Sequence, residues 1–462
     1  MRFKITQRFS RGAGLIVALM ATCVQADSPA TTYELQAVRQ AGAVMRVEAL
    51  LEVGGDLKLP GDSANNLVPM SAVGKLTYDE KLLSAPVHAK GHLLAVRRYD
   101  QCEAELKIQN RKLQPKLRKD RRVVIAQTGP APRVTLFCPD GPLSREELDL
   151  IDTPGNSLLV DGLLPDRVVA IGDEWSAAPE VLAPLLGLET ISSTDVTCVL
   201  KEATAASAKM ELSGHVYGAL GGAASEMELK AKYKFDKNVG RVTWLALLIK
   251  ERRAVGLAMP GVDVVARLQM KLTPVEQSAS FDAIGSHDHI AAEPPLLDLT
   301  YEPSVSNFRL RHDRNWYVMD DESNRATLRR VDGGELIAQC NIQWHSNSED
   351  HKEPSLARFQ EEIERALGES FGAIVEASQT TNDTAQKVYR VVVSGQAGDL
   401  PVRWHYYLVV DGEKSRLVLA FAMEEKQLER FADADRAIVS SVEFVDHRGV
   451  STGQPTPAAT PR

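Results

Sequence analysis

The sequence predicts an α+β protein in two parts. An N-terminal β-rich domain, a curved antiparallel meander with few helices, precedes a C-terminal α/β layered domain. Three observations carry this. Apolar and polar residues alternate with period two through most of residues 33–273, as in strands with one wet face. Only two short stretches in that region carry helix-end signals. Beyond residue 303 the rhythm changes to strands flanked by two longer amphipathic helices.

The chain opens with "MRFKITQRFSRG", basic at Arg2, Lys4, Arg8 and Arg11, followed by the apolar run "LIVALMATCV" and by "VQA" before Asp27. This is the pattern of a secretory signal peptide, residues 1–26, cut after Ala26. A bilayer-spanning helix takes about 20 apolar residues and this run is about half that. Lipidation at Cys23 through "LMATC" is the second reading, weakened by Thr22 before the cysteine. Removing the segment takes four basic and no acidic residues, and the formal charge moves from −8 to −12. An exported acidic chain is expected to have no nucleic-acid partner, and no later stretch is apolar enough to span a membrane.

Residues 27–285 form the β-rich domain. Cys102, Ala104, Leu106 and Ile108 alternate with Glu103, Glu105 and Lys107, and Val134, Leu136 and Cys138 alternate likewise. Both cysteines point inward, so two readings stand: a Cys102–Cys138 disulfide in an oxidising compartment, or four mature cysteines that are small buried hydrophobes. Between them "NRKLQPKLRKDRR" holds Arg111, Lys112, Lys116, Arg118, Lys119, Arg121 and Arg122, either a solvated loop or a contact for anionic headgroups. "SREELDLI" begins with a capping box, Ser144 and Glu147, and "PEVLAPLLG" has Pro179 and Gly187 where a helix prefers them. Met227, Leu229, Ala231, Tyr233 and Phe235 then alternate with Glu228, Lys230, Lys232 and Lys234, and Val262 to Leu272 do the same. Two short helices cannot cover such a sheet, so its apolar face must close on itself, pack against the second domain or hold a ligand. Met227, Leu229, Tyr233 and Leu268 are the expected ligand contacts.

Residues 286–302, with paired Pro294 and Pro295, read as a linker, and 447–462 as a disordered tail. Residues 303–446 hold strands, a helix from about Ser355 with Leu356, Phe359, Ile363 and Leu367 on one face, and a last helix with Leu428, Phe431, Ala434 and Ile438. Asp435 falls inside that last stripe and weakens it. In "PVRWHYYLVV", Val402, Trp404, Tyr406, Leu408 and Val410 face one way and are expected beneath the helices. Arg403, His405 and Tyr407 face the other way, toward solvent or a shallow groove.

The stretch "VRWHYYLVVDGEKSRLVLAFAM", with a helix and "AIVSSVEF" after it, resembles the PsbP-like fold family, which includes extrinsic photosystem subunits and DcrB-type exported lipoproteins. The resemblance covers about 140 residues and implies a fold without a shared catalytic motif. The first domain is similar in strand pattern to LolA-like periplasmic carriers, which implies a curved sheet around an apolar cavity. "LPDRVVAIGDEW" is similar to a motif of uncharacterised exported bacterial proteins.

Catalytic signals are sparse. GxSxG, HExxH and CxxC are all absent. Adjacent Asp173 and Glu174 point oppositely on a strand, and His287, Asp288 and His289 sit in the linker. No catalytic residue, metal or cofactor is therefore expected. The sequence points to a non-enzymatic binding protein of the envelope, exported to the periplasm or beyond, taking an apolar or lipid-like ligand or an envelope protein. A structural or assembly factor without small ligand, and a hydrolase with an unrecognised site, are the alternatives.

Overall fold

The computed structural model describes residues 31–59, 67–84, 92–129, 134–276, 281, 295–303, 307–346, 354–382, 385–412 and 415–445. The expected signal peptide, the His287–His289 group and the expected tail lie outside these residues.

The first sheet is thirteen-stranded and antiparallel. Its main strands are β1 (Val44–Lys58), β2 (Leu67–Ser84), β3 (Leu94–Ile108), β4 (Val123–Gln127), β5 (Thr135–Phe137), β6 (Thr197–Ala203), β7 (Ser207–Leu220), β8 (Ala223–Asp236), β9 (Arg241–Arg253) and β10 (Gly261–Val275). Across the sheet they run β6-β7-β8-β9-β10-β1-β2-β3-β4-β5, so the meander from β6 to β10 is sealed to the first hairpin by the β10–β1 pair. Period-two alternation makes one face polar. There, Glu211 lies between Lys201 and Lys232, at 3.9 and 3.3 Å, and Glu228 lies between Lys250 and Lys230, at 2.8 and 3.1 Å. Hydrogen bonds from Lys250 and Lys230 hold the Glu228 carboxyl at about 2.

The apolar face carries the core. It is covered by the segment from about residue 143 to 188, which contains α1 (Arg145–Ile151) and α2 (Pro179–Leu186). Both helices end as their sequence dictates. Ser144 accepts from the Glu147 N–H while the Glu147 carboxylate accepts from the Ser144 N–H, and Gly187 closes α2 in the left-handed region at φ 73°. In "IGDEW", Asp173 accepts from the Ala170 N–H at 3.0 Å and the Trp175 indole donates to the Leu163 carbonyl at 3.0 Å, so the motif is a turn pinned to the sheet. Cys102, Cys138, Cys198 and Cys340 are all buried free thiols. Of the two readings, the Cys102–Cys138 disulfide is not formed. Each side chain packs in the apolar core, where burial pushes Cys102 up to about 12 and Cys138 to about 11.

A small sheet joins the two halves. In it, β11 (Leu299–Tyr301) pairs in parallel with Leu143–Ser144 and antiparallel with β12 (Phe308–His312), which pairs with Glu443–Phe444. The end of the segment read as a linker is thus a strand. Arg145 donates to the carbonyls of Arg314 and Trp316, and Arg314 donates to the carbonyls of Leu136 and Leu297.

The second half is a seven-stranded antiparallel sheet built from β13 (Trp316–Asp321), β14 (Arg325–Asp332), β15 (Glu335–Ser346), β16 (Phe371–Thr381), β17 (Lys387–Ala397), β18 (Leu400–Asp411) and β19 (Ser415–Glu424), in the order β13-β14-β15-β19-β18-β17-β16. The helix α3 (Leu356–Leu367) covers one face, packing Phe359 and Ile363 against Trp404, Leu408 and Val410. The last helix is split at Ala432, a non-glycine residue at φ 49°, into α4 (Leu428–Phe431) and α5 (Ala434–Ser440). These cover the opposite face.

Candidate functional site

The aromatic strand β18 does not turn His405 and Tyr407 to solvent. His405 and Tyr407 are buried beneath α4 and α5, which corrects the expected solvated face. The reason is Asp435. The His405 Nδ1 lies 2.7 Å from its carboxylate, and the Tyr407 hydroxyl donates to it at 2.6 Å. Burial opposes ionisation of Asp435, but hydrogen bonds from His405 and Tyr407 hold it below the usual carboxylate range. Arg390 in turn donates to the Tyr407 hydroxyl at 2.8 Å and pairs with Glu376. An acid inside an apolar stripe, read as a flaw in the helix, is the acceptor of a buried network that fastens the helix to the sheet.

Space remains on the apolar face of the first sheet. Met227, Leu229, Tyr233 and Leu268 do not line it. All four are at most 3% exposed in the core. The chain's own residues 152–164 lie on two of them, Tyr233 and Leu268. The Tyr233 hydroxyl donates to the Leu163 carbonyl at 3.1 Å, and Gly155 sits so close that a Cβ there would be 2.2 Å from Leu268 Cδ2. The segment is held down by polar groups. Arg97 donates to Glu80 at 2.9 Å, to Asn156 at 2.6 Å and to Ser157 at 3.2 Å, and Ser157 donates to Glu80 at 2.6 Å. Arg241 and Arg39 both donate to Asp161, at 3.0 and 3.2 Å.

This bridge leaves a cleft toward each end of the same strands. The first, about 410 Å³, is lined by Leu51, Ala72, Gly74, Leu76, Ala104 and Leu106 from β1, β2 and β3, and by Leu113, Gln114, Pro115 and the α1 residues Glu146, Asp149 and Leu150. Its floor is open because register places three small residues together. Leu51 lies opposite Gly74, and Gly74 opposite Ala104. A Cβ on Gly74 would still be 3.9 Å from that of Ala104. Alternation marked Ala104 as inward but did not show what lies beside it.

The basic run lies beside this cleft, since Leu113, Gln114 and Pro115 belong to it. Its seven cations are not equivalent. Arg118 forks onto Glu147 with two bonds of 2.7 Å, Lys112 pairs with Glu105 at 2.9 Å, and Arg121 bonds Asp120 and the Pro142 carbonyl. Arg111, Lys116, Lys119 and Arg122 are exposed and make no ion pair among the described residues. Among those residues no group of three or more His, Cys, Asp or Glu is placed to hold a metal ion, and no helix is long and apolar enough to cross a membrane.

Comparison with known proteins gives no matching family model and no similar curated protein. Among solved structures, the cyanobacterial PsbP (CyanoP) of Synechocystis is 11% identical, over 34% of this chain and 96% of its own, at a TM-score of 0.27. A Bacteroides thetaiotaomicron protein is 9% identical over 32% of this chain and 48% of its own, at 0.24. The translocator domain of the Neisseria meningitidis autotransporter NalP is 6% identical over 83% and 88%, at 0.12. The likeness to PsbP is weak, and at these scores none of the three carries an argument about fold or activity. The PsbP-like and LolA-like resemblances rest on the residue patterns alone.

Proposed function

We propose that the protein is an exported, non-enzymatic binding protein of the cell envelope that holds an apolar or lipid-like ligand in the cleft floored by Ala72, Gly74 and Ala104. The observation that supports this is the cleft. It is about 410 Å³, within the range of ligand pockets at about 300–1,000 Å³, and apolar at its floor, whereas the cleft at the other end of the strands is lined by charged residues. Arg111, Lys116, Lys119 and Arg122, exposed in the same run as its Leu113 wall, supply contacts for an anionic headgroup.

Uptake of a fluorescent fatty acid by the purified chain tests this. The wild type is expected to bind with saturation. Ala104→Trp, which fills the floor, is expected to lose at least about tenfold in affinity while its circular dichroism stays unchanged. Absence of uptake by the wild type, or equal uptake by Ala104→Trp, overturns the proposal. Export is tested separately, by N-terminal sequencing of the secreted protein, which is expected to begin at Asp27.

A further inference from the structure

The second cleft, at the opposite end of the same strands, has different chemistry. It measures about 490 Å³ and is lined by Arg39, Met45, Glu80, Lys237 and Arg241 among others. It is separated from the apolar cleft by residues 152–164 and their polar bridge.

Two features there go beyond holding that bridge in place. The first is charge. The side chains of Arg97, Arg241, Glu80 and Asp161 are at most 9% exposed and that of Arg39 is 14% exposed, so three guanidiniums face two carboxylates. Arginine stays protonated in proteins, so the cluster carries one positive charge in excess. A buried charge without a counter-charge is costly. Lys237 does not change this count, because it is turned away, its ammonium over the Tyr33 ring at 4.4 Å and bonded to the Thr204 carbonyl. Glu276 stands exposed at the rim, where solvent screens it. The second feature is an acceptor. Glu80 Oε2 is saturated by Arg97 and Ser157, but Oε1, equally buried, has no hydrogen-bond partner among the described residues. A buried carboxylate oxygen left so calls for a donor.

We propose that this cleft binds a small hydroxy-carboxylate, its carboxylate meeting Arg39 and Arg241 and its hydroxyl donating to Glu80 Oε1. The excess charge selects an anion. The orphaned oxygen selects a donor on the same molecule. An ammonium donor would make the ligand neutral overall and leave the excess charge unanswered, so a hydroxyl is the better fit.

Calorimetric titration of the full mature chain with glycolate, acetate and glycine tests this. Glycolate is expected to saturate and to bind at least about tenfold more tightly than acetate, which lacks the donor, and more tightly than glycine. Arg39→Gln, at the edge of the cluster and leaving the Arg241–Asp161 pair in place, is expected to weaken glycolate and acetate alike. Glu80→Gln is expected to abolish the preference for glycolate over acetate. Should Glu80→Gln not fold, the Arg39→Gln and acetate comparisons still decide. No saturation by glycolate, equal affinity for acetate, tighter binding of glycine, or a glycolate-soaked crystal showing only a water on Glu80 Oε1 overturns the proposal.

Discussion

Acid is expected to loosen this protein at the junction of its halves, through His312. Its imidazole is 3% exposed on β12, with Nδ1 2.7 Å from the Asp313 carbonyl and the Arg145 guanidinium nearby. Burial lowers its pKa from 6.5 to about 4, against the Asp313 carbonyl and with help from Arg145. The unfolded chain takes up a proton near 6.5 and the folded chain only near 4, so between those values the unfolded state binds more protons and stability falls as pH falls. The contribution is fully present above about pH 6.5 and lost progressively toward about pH 4. Over that gap, at about 1.36 kcal/mol per pH unit, the loss is about 3 kcal/mol. Carboxylates lose stability in the same direction, so the assay compares two proteins. Urea unfolding of wild type and His312→Gln is measured at pH 7, 5.5 and 4. Gln keeps a donor for the Asp313 carbonyl but does not titrate. The wild type is expected to lose about 3 kcal/mol more than the variant over the series. Parallel curves for the two would refute the account of a neutral, buried His312.

Asp435→Ala leaves His405 and Tyr407 without their buried acceptor and is expected to cost about 3 kcal/mol, read as a lowered urea midpoint. Leu229→Asp places a carboxylate in the filled core at a residue 1% exposed, so it is expected to unfold the first half by circular dichroism rather than to block uptake selectively. Gly222, in the β7–β8 turn at φ 74°, would bring a Cβ within 2.3 Å of Gly334 Cα on the β14–β15 turn; Gly222→Val is expected to separate the halves there, seen as a larger radius in small-angle scattering.

Much of the local structure was legible in the residues because it depends only on near neighbours. Alternation along β8 and β10 fixed which side chains point inward. The Ser144–Glu147 box and the Pro179–Gly187 pair marked α1 and α2, since caps answer backbone groups within one turn. What escaped depended on contacts between distant segments. Inward-pointing Met227, Leu229, Tyr233 and Leu268 were the natural choice for a ligand wall, but all four are buried in the core, Tyr233 and Leu268 against residues 152–164, and period two says nothing about what lies above a face. The open floor at Ala72, Gly74 and Ala104 required strand register, which no single strand specifies. Asp435 looked like a defect until β18 placed His405 and Tyr407 within reach of it. Tertiary packing decided which polar residues were buried with partners and which apolar ones were left at an opening, because burial belongs to the assembled layers and not to any one segment.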